Sequence, residues 1–167
     1  MADVVDRVVA SWRTERPDLD FAPVEVVGRL QRLARLLDRE IQSFAGTHGL
    51  EQWELDLLFT LRRAGAPYEL SAGALAKAAL VTSGAITNRI DRLTAKDLVE
   101  RVADPADRRA VRVRLTAHGL RTADELIAGH VANEARLLQT LSARQHATLA
   151  TTLRRLLEDL GDEVVDR

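Results

Sequence analysis

Four histidines, a run of arginines and a complete lack of cysteine bound the chemistry open to this chain of 167 residues. His48, His118, His130 and His146 are scattered along segments that read as helices, without metal-ligand spacing. No glycine-rich loop is present to cradle a phosphate, and nothing suggests a Ser/His/Asp constellation, so an enzyme is the weaker reading and no cofactor or metal is expected. Without cysteine there is no disulfide, thiolate zinc site or thiol redox sensor. The arginines say more. Between Thr82 and Arg121 lie nine basic residues (Arg89, Arg92, Lys96, Arg101, Arg108, Arg109, Arg112, Arg114, Arg121) against five acidic ones, a local balance of +4 on a chain whose net charge is −1. Guanidinium groups neutralise phosphates and pair with guanine edges. A basic lobe on a near-neutral chain is the footprint of a protein that meets phosphate with one surface. The plainer alternative is a solvated hairpin rich in arginine.

The elements that would position these residues follow from the apolar spacing. From Pro23 to about Ala45, the residues Val26, Leu30, Leu33, Leu37, Ile41 and Phe44 step by four and three, which predicts one long striped helix. Pro23 suits its first turn, and Gly46 and Gly49 end it. A shorter amphipathic segment precedes it, with Val5, Val8, Val9 and Trp12 on one side, stopping before Pro17. Leu55 to Leu61 reads as a helix apolar on nearly all sides, hence buried. Ser71 caps a short helix through Leu75 and Ala79, and Thr82 caps another soon after. Two short helices joined by a tight turn make the helix-turn-helix pattern. Leu98 to Ala103, then a polar turn, then Val111, Val113 and Leu115 alternating with Arg112 and Arg114, predict a β-hairpin. Helix-turn-helix followed by a basic hairpin is a winged helix. Thr116 caps a helix running to about Gln139, and Ser142 with Gln145 is a capping-box pattern opening a last helix through Leu149, Leu153, Leu156 and Leu160.

The expected fold is thus mostly α with a small β-hairpin wing, forming a single domain over 1–167. Segments 1–46 and 117–167 form the helical dimerisation part, and 50–116 the winged helix-turn-helix lobe. Long amphipathic helices at both ends need cover. They could bundle within the chain, or interleave in a homodimer, which is the favoured reading. Apolar residues make up 46% and charged residues 29% of the chain, the balance of a globular protein. No apolar run approaches the roughly 20 residues of a membrane span. The first residues do not form a basic and then apolar leader, so a cytoplasmic location away from membranes is expected.

On the second short helix Ile86, Ile90 and Leu93 must point inward. At about 100° per residue, Gly84, Thr87, Asn88, Asp91 and Arg92 fall opposite. With Ser83 near the helix start, Gly84, Thr87, Asn88 and Arg92 are the candidates for major-groove contact with double-stranded DNA: Asn pairs with adenine, Arg with guanine or phosphate. Arg108 and Arg109, at the tip of the hairpin, would reach the minor groove, braced by Asp107 and Asp104. Arg89 lies sideways, about 70° from the middle of the apolar face, and so requires an anionic partner, either a structural carboxylate or a bound anion.

These residues resemble the MarR family of transcriptional regulators. The resemblance runs through Leu75-Ala76, Gly84, Thr87-Asn88-Arg89-Ile90, Leu93, Lys96, Leu98-Val99-Glu100-Arg101, Asp104-Pro105-Ala106-Asp107-Arg108-Arg109 and Leu115-Thr116-Ala117-His118-Gly119, and spans about Pro23 to Leu160. One departure is Asp97, where the family usually has glycine; aspartate tolerates a left-handed backbone better than most residues. The N-terminal segment is similar to that of a urate-responsive subfamily, whose extra first helix bears a tryptophan. The resemblance implies a ligand pocket of Trp12, Asp56, Arg89 and Arg101. Two guanidiniums and a carboxylate suit a planar purine anion such as urate, or a similar carboxylate. Singly, each has a plainer role: Trp12 as packing, Asp56 on a solvent strip with Thr60 and Arg63, Arg101 lying over the hairpin. The implied function is a ligand-responsive regulator, a repressor released from a palindromic operator by a small anion. A winged-helix interaction module without specific DNA affinity is the competing reading.

Overall fold

The computed structural model describes residues 2–104 and 111–162, which form two compact units, Met1–Glu125 and Leu126–Arg167. The first begins with α1 (Val4–Glu15), whose start is closed by Asp3 and Asp6, each carboxylate accepting from the other's backbone N–H. Such reciprocal capping satisfies amides that the first turn leaves open. Val5 and Val9 are buried, with Phe21, against α2 (Ala22–Thr47). Gly28 permits this approach, since a Cβ there would sit 3.3 Å from Val5 Cγ1. The expected side differs in one respect. Val8 and Trp12 are exposed, because one helix narrowly touching another can bury only the i, i+4 pair between them.

On α2 the predicted stripe is real but barely covered. Leu30, Leu37, Ile41 and Phe44 are half-buried, and Val26 and Leu33 remain exposed. In α3 (Gln52–Arg63) the opposite holds, with Leu55, Leu57, Leu58, Phe59 and Leu61 all buried. Thr60, expected in solvent, is buried as well. Its hydroxyl donates to the Asp56 carbonyl at 2.7 Å, which satisfies the polar atom within the helix.

A short strand β1 (Glu69–Ser71) follows, unforeseen in the sequence. It makes the wing a three-stranded antiparallel sheet, in the order β1, β3 (Val111–Leu115), β2 (Val99–Ala103), and not a bare hairpin. Between β1 and β2 come α4 (Ala72–Ala78) and α5 (Ser83–Ala95). Ser71 and Thr82 cap them as expected, their hydroxyls accepting from Ala74 N and Ala85 N. Ile86, Ile90 and Leu93 of α5 are buried. Asp97 adopts φ +54° between α5 and β2, the left-handed turn anticipated for it.

The start of α6 (Ala117–Leu137) explains its Leu-Thr-x-x-Gly signature. Thr116 Oγ1 accepts from Gly119 N at 2.9 Å and donates to the Asp97 carbonyl at 2.6 Å. A Cβ on Gly119 would collide with the Leu98 backbone carbonyl, so only glycine lets this helix lie on the strand entry.

The second unit holds the rest of α6 and α7 (Ala143–Asp159). Ser142 and Gln145 form the expected capping box at the start of α7. No residue of α7 is buried; Leu149, Leu156 and Leu157 face solvent.

Candidate nucleic-acid interface and ligand site

Helix α5 presents its first half to solvent. Ser83, Gly84, Thr87 and Asn88 are all exposed, and Thr87 Oγ1 donates to the Ser83 carbonyl at 3.0 Å. Among the described residues, nothing beyond its chain neighbours and its own helix backbone lies within 4 Å of where a Cβ on Gly84 would stand.

Its second half is engaged. Arg92 donates to a Glu51 carboxylate oxygen and lies over the Trp53 ring, 4.8 Å from its centroid. Arg89, half-buried, also faces Trp53, at 5.3 Å. Of the two anionic partners open to Arg89, a structural carboxylate is not among its contacts with the described residues, where it meets an aromatic face. The negative face of an indole stabilises a guanidinium without a full counter-charge. Lys96 reaches the fully buried Glu54 at 2.6 Å, and Glu54 accepts from Glu51 N at 2.9 Å through the same oxygen, Oε2. Glu54 Oε1 is buried without a hydrogen-bond partner among the described residues. The start of α3 therefore grips the end of α5 through two carboxylates and one indole. The Arg92 hydrogen bond, and secondarily that from Trp53, hold the Glu51 carboxyl below the usual carboxylate range.

The sheet is equally self-paired. Glu69 takes Arg114 at 2.6 Å and Arg112 at 3.1 Å, and Arg112 also reaches Asp104 at 3.2 Å. Arg101 pairs with Asp91 at 2.7 Å. Of the basic residues that made the window positive, Arg92, Lys96, Arg101, Arg112 and Arg114 are thus each held by a carboxylate. Several of those acids (Glu51, Glu54, Glu69) come from outside the window. The local charge surplus is largely neutralised by tertiary pairing. Arg108, Arg109 and Asp107 lie outside the described residues.

Among the candidate ligand residues, Trp12, Arg89 and Arg101 each meet a neighbour of their own. Trp12 stacks on Phe21 with ring centroids 6.0 Å apart and planes 16° apart. Asp56 is exposed on α3, one turn after Trp53. Arg89 faces Trp53, and Arg101 pairs with Asp91. Sequence reading passed over Glu51 and Trp53. Their signal was slight: an acid two residues before a tryptophan at a helix start, opposite arginines spaced i, i+3.

A MarR family model matches residues 48–110, from the turn before α3 to the residue that precedes β3. PecS, an HTH-type transcriptional regulator of Dickeya dadantii, is 35% identical over 156 residues, covering 93% of this chain and 94% of its own. The chain belongs to the MarR family. Among solved structures, a variant of MarR from Escherichia coli complexed with operator DNA matches with TM-score 0.68 at 28% identity, covering 82% of this chain and 97% of that one. BpsR of Bordetella bronchiseptica, whose DNA binding is regulated by 6-hydroxynicotinic acid, matches with TM-score 0.67 at 26% identity, covering 78% of this chain and 91% of its own. This MarR-family chain is a DNA-binding transcriptional regulator with a winged helix as its reading module. Among the described residues no helix is long and apolar enough to cross a membrane.

Proposed function

We propose that this regulator is a repressor that binds a palindromic operator as a homodimer and is released by a small planar anion, urate or a similar purine or carboxylate. The observation that carries the DNA side is the open first half of α5. Gly84 stands in the first turn of α5, where alanine would favour the helix more, and among the described residues nothing crowds it. Close approach of an outside backbone supplies the missing reason. Ser83, Thr87 and Asn88 beside it offer hydrogen bonds to base edges or phosphate, while Arg92 meets phosphate or guanine. The same reading assigns Arg108 and Arg109, on the sequence pattern alone, to the minor groove.

The dimer is supported by the uncovered apolar residues of α2 and α7. An amphipathic helix of 17 residues with no buried side chain draws little stability from propensity alone and needs a partner surface. Two reading heads about one helical turn apart match a palindrome.

On the ligand side, Arg89 is a half-buried guanidinium whose partner is an aromatic face, which leaves its charge available to an anion. Asp56 accepts a ligand N–H, Trp12 supplies an apolar wall, and Arg101 exchanges Asp91 for the ligand. That 6-hydroxynicotinic acid regulates BpsR, a protein of the same fold, supports a planar aromatic carboxylate class. The ligand acts through unequal affinity for the DNA-competent and DNA-incompetent states. The test is a gel shift on the chain's own upstream intergenic DNA, with urate titrated into the complex. Release by urate supports the whole reading, and binding indifferent to urate moves the ligand to other planar carboxylates. Arg89→Ala is expected to keep basal DNA binding and blunt release; loss of both would make Arg89 a reading residue.

A further inference from the structure

Arg92 stands on the face of α5 opposite Ile86, Ile90 and Leu93, yet its guanidinium turns back onto the start of α3. The carboxylate that receives it is itself oriented. Glu51 Oε2 accepts from Trp53 Nε1 at 2.6 Å, which leaves Oε1 for Arg92. The Glu51 backbone N–H is anchored to buried Glu54 at 2.9 Å. Arg92 also rests on the Trp53 ring, so charge and stacking hold it in one place. A fixed carboxylate oxygen facing a guanidinium offers the same charge-assisted N–H···O contact as a DNA phosphate oxygen.

We propose that Glu51, oriented by Trp53, is an internal phosphate mimic that withholds Arg92 from DNA, so that the regulator's resting affinity is set by competition for one guanidinium. This rests on the reading that the solvent face of α5 meets DNA. The side chains of Arg92 and Glu51 are 46% and 53% exposed, so the exchange takes a side-chain rotation and no unfolding. The Lys96–Glu54 pair beside it cannot play this part, because Glu54 is fully buried and Lys96 is its counter-charge. An exposed ion pair restrains its partner by a factor of about 2 to 5. In a symmetric dimer both copies act, which compounds to roughly 4- to 25-fold.

The experiment compares wild type, E51Q, R92A and the E51Q/R92A double variant on a duplex selected from random sequence by the wild type, with anisotropy read across a salt series. E51Q should bind about 4- to 25-fold tighter. R92A should bind more weakly, with a shallower dependence of log K on log salt because fewer phosphates are neutralised. The double variant should bind like R92A, since Glu51 then has nothing to withhold. A gain from E51Q that persists in full without Arg92 would show Glu51 to be only a nearby negative charge and would overturn the proposal. So would an E51Q variant that melts like wild type but binds no tighter, or an R92A variant indistinguishable from wild type. Should E51Q fold poorly, W53F removes the indole N–H while keeping a ring, and a smaller tightening is expected. No selected duplex from the wild type would sink the DNA-binding reading beneath all of this.

Discussion

Twelve large apolar side chains of α3, α4, α5 and the sheet are buried, and charged pairs such as Lys96–Glu54 and Arg114–Glu69 flank them. Helix α1, by contrast, rests on α2 through Val5, Val9 and Phe21, with surface pairs from Arg29 to Asp3 and Asp6 and from Arg13 to Glu25. Exposed pairs contribute little each, and elements with few buried contacts open below the global unfolding energy. The contrast predicts that the reading lobe keeps its shape while α1, which carries Trp12, opens more readily.

Substitutions can break or sharpen this contrast. The largest effect should come from Gly119→Ala, which drives a methyl into the Leu98 carbonyl and should cost about 3 kcal/mol. A urea midpoint equal to wild type would mean the start of α6 does not lie where described. Next, Lys96→Met leaves Glu54 buried without its cation. Because Lys96 is partly open to water, the loss should be about 2 kcal/mol, less than for a fully buried pair. It would be read in the same unfolding series.

Val9→Ala should remove about 1–2 kcal/mol of packing, but locally. Hydrogen exchange in α1 should accelerate roughly ten-fold while amides of α5 stay unchanged. Equal acceleration in both would merge the two regions into one cooperative unit and end the comparison. Smaller and opposite in sign, Leu80→Gly should stabilise. Leu80 is 90% exposed at φ +51° between α4 and α5. Relief of about 1–2 kcal/mol of left-handed strain outweighs the entropy of glycine by a few tenths to about 1 kcal/mol, measurable as a rise in melting temperature.

The subtlest effect belongs to Asp3. The Asp6 backbone N–H first, and Arg29 after it, hold its carboxyl below the ordinary carboxylate value. A lowered folded pKa means that its contribution is present above the unfolded value and lost as pH falls through the folded one. Asp3→Asn should therefore flatten the acid dependence of α1 exchange, and an unaltered profile would remove Asp3 from the docking.

Much of this was legible in one dimension because the signals are local. Ser71, Thr82, Thr116 and Ser142 announced helix starts, since a capping hydroxyl needs only the next turn. The inward face of α5 followed from spacing alone, and Asp97 marked a left-handed residue. The strand β1 was not legible. Three residues are too few to show a period of two, and its pairing partner, β3, lies some forty positions on. Arg89 was expected to meet a structural carboxylate or a bound anion, and its contact with Trp53 was not legible because that tryptophan comes from a distant helix.

The sequence by itself determined the order and type of the elements other than β1, the winged-helix pattern and the family to which the chain belongs. These depend on periodicities and caps spanning a few residues. Only the tertiary structure decided which charges are free. Arginines counted as a basic surface prove to be paired with Glu51, Glu54 and Glu69, carboxylates brought in from α3 and β1. The physical reason is that charges pair by distance in space, across a few ångströms, while a sequence records only distance along the chain.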